Sequence, residues 1–234
     1  MKKLALTIGC VVAVTGAAFA QGTLAWNSIS PAGMTVQLNG NLSPLFGGSS
    51  SVSGTFLGTA ASSYYFELLY NTAFTGSQTA SPTLAALTGG SWIDSGLQAV
   101  NSTASAGKLT VLGSTTSAAI SGWAGGIGAL GGTTNNVVLV GWSSNLGTTW
   151  SAVRNVLATW DDSFAASFGV SATGYLVPNQ GNPGATVFAA AANANGLPIF
   201  SVNTQLYALP VPEPATFALA GLGGLAMLMF RRRK

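Results

Sequence analysis

The chain has 234 residues, of which 48% are hydrophobic and 6% charged, with no histidine and one cysteine. Without histidine it lacks the side chain most used for proton transfer near neutral pH and the commonest metal ligand, which excludes most hydrolytic triads. The formal charge of +3 belongs to the ends. Between Gln21 and Leu209 only Glu67, Asp94, Lys108, Arg154, Asp161 and Asp162 are charged, two basic against four acidic, and this leaves no nucleic-acid footprint.

Lys2 and Lys3 precede an apolar stretch from Leu4 to Phe19, and Ala18-Phe19-Ala20 is a small-x-small site before Gln21. This is the layout of a secretory signal peptide over residues 1–20, removed by signal peptidase with Ala18, Ala20 and Gln21 around the cut. The single cysteine, Cys10, lies inside that segment. The mature chain is therefore expected to carry neither thiol nor disulfide, as suits an oxidising compartment.

Residues 21–209 read as a secreted β-rich domain. Short runs rich in branched, aromatic or alternating residues fall at 23–27, 34–39, 51–57, 64–71, 109–112, 137–142, 170–177 and 200–209, separated by Gly, Pro, Asn and Ser. Several short strands in series predict a mainly β fold, an antiparallel β-sandwich or jelly-roll-like domain. The stretches 72–107 and 113–136, dominated by Gly, Ser, Thr and Ala, read as long loops or weakly patterned edge strands. Trp150, Val153, Val156, Leu157 and Trp160 recur at helical spacing after Thr148 and Thr149, which predicts one short packed helix with a threonine cap. It should stop at or before Asp161 and Asp162, because the helix dipole disfavours acids at that end.

No catalytic residue, cofactor or metal site is nominated. Gly126-Ile127-Gly128-Ala129-Leu130-Gly131 has dinucleotide-type spacing but no preceding strand and no later acid, so it reads as a glycine-rich loop. Ser105-Ala106-Gly107-Lys108 has serine-lysine spacing without companion motifs and reads as a turn. Asp161, Asp162 and Ser163 offer hard oxygens of the kind calcium takes, and whether they bind it stays open. The four acids of the domain give no reason to expect a facing pair across a sugar. Six tryptophans among many Asn and Thr would suit glycan stacking if they were exposed; in a β-rich domain most are expected in the core.

The composition changes at Val211. Pro212-Glu213-Pro214 is stiff and extended, since each proline fixes its own φ and restrains its neighbour. Residues 215–230 then carry no charge and would span about 24 Å as a helix, slightly short for a bilayer core. Arg231, Arg232, Arg233 and Lys234 form a basic membrane stop that the positive-inside rule holds in the cytoplasm.

This order, with Gly221, Gly223 and Gly224 inside the apolar run, resembles the PEP-CTERM sorting signal of Gram-negative bacteria over residues 210–234. The resemblance implies recognition at Pro212, Glu213 and Pro214 by an exosortase, a multi-pass membrane protease. An inner-membrane-anchored precursor would then be cut and passed to the cell surface or extracellular matrix. It carries an address and no activity. The expected product is a non-catalytic structural or adhesive surface protein; the rivals are a surface polysaccharide-binding module, with exopolysaccharide as partner, and a secreted hydrolase.

Overall fold

The computed structural model describes residues 21–26, 35–50, 54–73, 80–113, 117–126, 131–189, 191–199, 204–211 and 227. In chain order the elements are β1 (Gln21–Ala25), β2 (Val36–Leu42), β3 (Thr55–Phe56), β4 (Tyr64–Asn71), α1 (Leu84–Thr88), β5 (Ile93–Asn101), β6 (Leu109–Val111), β7 (Ala118–Ala124), β8 (Asn135–Ser143), α2 (Trp150–Ala158), β9 (Ser167–Val170), β10 (Gly174–Leu176), β11 (Ala185–Thr186), β12 (Gly196–Leu197) and β13 (Thr204–Ala208).

The fold is mainly β, as expected. The large sheet runs β3-β2-β13-β9-β8-β4-β5-β6, with β10 and β12 branching from β8, and the small sheet runs β11-β1-β7. Pairing is mixed rather than wholly antiparallel, because β13 pairs β2 and β1 pairs β11 in parallel. The large sheet curls until its ends meet. Val36 N–H at the start of β2 donates to Gly107 O, just before β6, and Gly107 N–H donates to Leu57 O, just after β3.

The centre of the large sheet is β8, whose sequence Asn-Asn-Val-Val-Leu-Val-Gly-Trp-Ser is buried on both faces, so it reads as a near-continuous apolar run. It pairs with β4 along eight residues, from Tyr64 opposite Ser143 to Asn71 opposite Asn136. Alternation then sorts the side chains. Phe66, Leu68, Tyr70, Val137 and Leu139 join Leu24, Trp26, Ile120 and Trp123 of the small-sheet side in one core cluster. Leu69, Val138, Val140 and Trp142 pack instead with Leu87 of α1 and Trp150, Val153 and Leu157 of α2 in a second. Gly141 is required opposite its β4 partner Phe66, since a Cβ there would lie 2.4 Å from Cε1 of Phe66.

The predicted helix is present: Thr149 Oγ1 accepts from Ala152 N–H at 3.4 Å, and α2 ends at Ala158, ahead of both aspartates. The glycine- and serine-rich stretches are not simply loops. They hold α1, β5 and β7; β7 is an edge strand, but β5 lies between β4 and β6 inside the large sheet. The run predicted at 170–177 is broken into β9 and β10, because Ser171 turns inward: its Oγ accepts from Leu139 N–H at 2.9 Å and its own N–H donates to Leu139 O.

Candidate functional site

Three of the six charges between Gln21 and Leu209 converge beside the start of α2. Glu67, on the helix-side face of β4 with Tyr65 and Leu69, is 1% exposed. Its Oε2 accepts from Trp150 N–H at 2.9 Å and its Oε1 from Gln98 Nε2 at 3.2 Å. The carboxyls of Glu67 and Asp94 are hydrogen-bonded to each other. A bulge in β5 makes this contact possible: the β4 register shifts between Glu67 and Leu69, Gly96 takes φ 74°, and its N–H donates to Asp94 Oδ1 at 2.7 Å. Ser95 Oγ completes the irregularity by donating to Leu68 O at 2.6 Å.

Burial, and then the Asp94 carboxyl, push the Glu67 pKa up to about 8 against the opposing pull of the Gln98 and Trp150 donors. At neutral pH Glu67 therefore holds its proton. Above it opens a cleft of about 350 Å³ lined by Trp92, Asp94, Trp150, Ser151 and Arg154. Two carboxyls in direct contact leave no room for a glycosidic oxygen and a water between them. Glu67 acts here as a buried cap on the first turn of α2.

A second cavity of about 530 Å³ opens on the other side of α1, among Ser43, Pro44, Ser81, Pro82, Ser171 and Tyr207. Its lining is uncharged, with hydroxyls set among apolar surface.

A third feature lies where the chain leaves the domain. Leu209 N–H donates to Ala166 O at 2.9 Å, Ser43 N–H to Ala208 O at 2.9 Å, and Trp160 Nε1 to Pro210 O at 3.0 Å. Val211, the next residue, is exposed. The chain is thus held by the fold as far as Pro210, two residues before Pro212.

A family model described as the PEP-CTERM protein-sorting motif matches residues 210–234. The chain carries a PEP-CTERM motif. The motif implies an exported or surface protein processed by an exosortase. Neither a curated protein nor a solved structure matches the chain.

The PEP-CTERM match therefore begins at the residue whose carbonyl Trp160 holds, and the last strand, β13, lies wholly on its N-terminal side. Pro212, Glu213, Pro214, Arg231, Arg232, Arg233 and Lys234 lie outside the described residues, as do Ala18 and Ala20. Gln21 opens β1 and pairs with Ala124 of β7.

The remaining sequence candidates have other roles. Trp26, Trp92, Trp123, Trp142 and Trp150 are buried and Trp160 is half-buried, so they form core rather than a stacking platform. Trp123 stacks on Tyr70 at 5.0 Å and Trp150 on Phe168 at 6.2 Å. Asp161 Oδ1 accepts from Ser163 N–H at 3.1 Å, and its hydrogen bonds to Ser163 hold its pKa below the ordinary value. Among the described residues no group of three or more acids, histidines or cysteines converges as a metal site. Ser105 to Lys108 form a turn, with Gly107 at φ 72° and Lys108 N–H donating to Ser105 O. Of the glycine-rich loop, residues 127–130 lie outside the described set.

The Glu67–Asp94 contact was missed in sequence. Its one signal is a lone acid in the apolar strand Tyr-Tyr-Phe-Glu-Leu-Leu-Tyr of a domain with almost no charge.

Proposed function

We propose that the chain is made as an inner-membrane-anchored precursor, with residues 215–230 in the bilayer, and is released as a non-catalytic structural or adhesive component of the cell surface or extracellular matrix. The observation that carries this reading is the PEP-CTERM match beginning at Pro210, the residue whose carbonyl Trp160 holds. A cut at Pro212-Glu213-Pro214 would leave β13 and its hydrogen bonds whole. Signal peptidase would free Gln21, and the packing of the small sheet with the curled large one in a shared core supports reading the product as a distorted β-sandwich. A surface stabilised by hydroxyls and amides, with few charges to titrate or screen, suits a matrix component.

The paired acids support the non-catalytic reading, since Glu67 is buried and its two oxygens are occupied. The test is Glu213→Ala in the native host. Full-length protein should accumulate in the inner membrane, and normal release of the variant contradicts the sorting assignment.

A second reading, a surface module for an uncharged polysaccharide such as exopolysaccharide, is supported by the hydroxyl-lined cavity of about 530 Å³. Its size falls in the range of small-ligand sites. It would bind through hydroxyls and the Tyr207 ring rather than through tryptophan.

A further inference from the structure

Six large hydrophobic side chains of the described domain are exposed, and three of them gather where the chain leaves it. Val211, 46% exposed, follows the last anchored residue. Leu42, 40% exposed, is the Cα partner of Ala208 at the end of β13. Phe164, 37% exposed, packs edge-on against Trp160 with ring centroids 5.1 Å apart, and Trp160 holds Pro210 O. Phe46 meets the same indole edge-on at 6.5 Å. The result is an aromatic and aliphatic rim around the exit point, made by three segments distant in sequence.

The length of the tether decides what this rim meets. From Pro210 to Ala215 is five residues, at most about 17 Å of extended chain. If residues 215–230 cross the bilayer, the rim cannot stand farther than that from its surface. Amphipathic aromatic rings favour this headgroup level.

We infer that in the membrane-anchored precursor the rim of Leu42, Trp160, Phe164 and Val211 rests on the outer headgroup layer of the inner membrane. In that position the domain holds Pro212, Glu213 and Pro214 at the depth of the membrane protease that cuts them. Cleavage removes the tether, and with it the force that keeps a small rim on lipid, so release follows from the cut. Asp161 and Asp162 adjoin Trp160, and ionised acids there are repelled by anionic lipid, so the contact favours zwitterionic headgroups. The inference rests on the membrane-anchored reading above.

The test uses the full chain with Cys10→Ser and a single new thiol, Phe164→Cys, labelled with an environment-sensitive fluorophore and reconstituted into phosphatidylcholine vesicles containing brominated lipid. The control is Ser105→Cys. Ser105 sits in an exposed turn whose Gly107 bonds Val36, at the opposite end of β2 from Leu42. Quenching at position 164 should exceed that at position 105 several-fold and should weaken as phosphatidylglycerol replaces phosphatidylcholine. Equal quenching at both positions, with residues 215–230 still protected from added protease, overturns the docking and leaves the anchor intact. A chain that does not float with the vesicles overturns the anchored reading and the docking with it. A label at 164 that is already buried without vesicles, in a particle of twice the chain mass, assigns the rim to a second copy instead.

Discussion

Trp150 N–H donates to the buried carboxyl of Glu67 at 2.9 Å, so the first turn of α2 is tied to the middle of the large sheet by an acid that burial and the neighbouring Asp94 carboxyl keep protonated at neutral pH. In a domain with so few charges, this contact makes stability depend on pH.

The sign follows from the raised pKa. Glu67 titrates near 4.5 in the unfolded chain and near 8 in the fold. Its contribution is full below about 4.5 and is lost as pH rises towards 8. The urea midpoint should therefore fall between pH 4.5 and pH 8. Glu67→Gln, which stays neutral and keeps a carbonyl for Trp150 N–H, should flatten that slope. A variant with the wild-type slope would place the titration elsewhere. Asp161 works in the opposite sense and in a lower window: its pKa is depressed by Ser163, so what it contributes is lost only as pH falls through the acid range.

Removing the Glu67 carboxyl altogether should cost more. Glu67→Ala leaves the Trp150 N–H buried without its acceptor and opens a void between β4 and α2, a loss of about 2–4 kcal/mol. Chemical denaturation at pH 7 measures it. An unchanged midpoint would mean that the start of α2 is not anchored through this side chain.

Gly141→Ala should destabilise by about 1–3 kcal/mol by overpacking, because the new methyl would sit 2.4 Å from Phe66 Cε1 and 3.0 Å from Leu206 Cδ2. Gly40→Ala is the matched control, since nothing lies within 4 Å of its added Cβ. Thermal melts of the two variants side by side should separate them clearly.

Binding of host exopolysaccharide, if the cavity beside Tyr207 takes it, should be abolished by Ser81→Trp, which fills the opening from an exposed position. The melting temperature should hardly change. Binding that survives the block would place any glycan contact outside this cavity.

The sequence revealed most where side-chain patterning and local chemistry agree. The span of β4 was legible because Tyr64 to Asn71 is a strand-forming run broken only by Glu67, and α2 because its apolar spacing follows a threonine cap. β5 was not, because its buried positions include Ser95, Ala99 and Asn101, which carry little hydrophobic signal, and its bulge at Gly96 breaks the alternation. The curl of the large sheet depends on backbone bonds among Val36, Leu57 and Gly107, which no local pattern encodes. At the candidate sites the contrast is similar. The PEP-CTERM tail is contiguous and was readable whole, whereas the Glu67–Asp94 pair spans two strands and needs their register.

Two cleavages around an intact domain are read out together by the intact mass of the processed protein. Protein should be recovered from culture medium, outer surface and inner membrane of the native host. The expected result is a medium or surface species beginning at Gln21 and ending near Pro212. A species still ending at Lys234 and confined to the inner membrane would contradict it and make the tail a plain anchor.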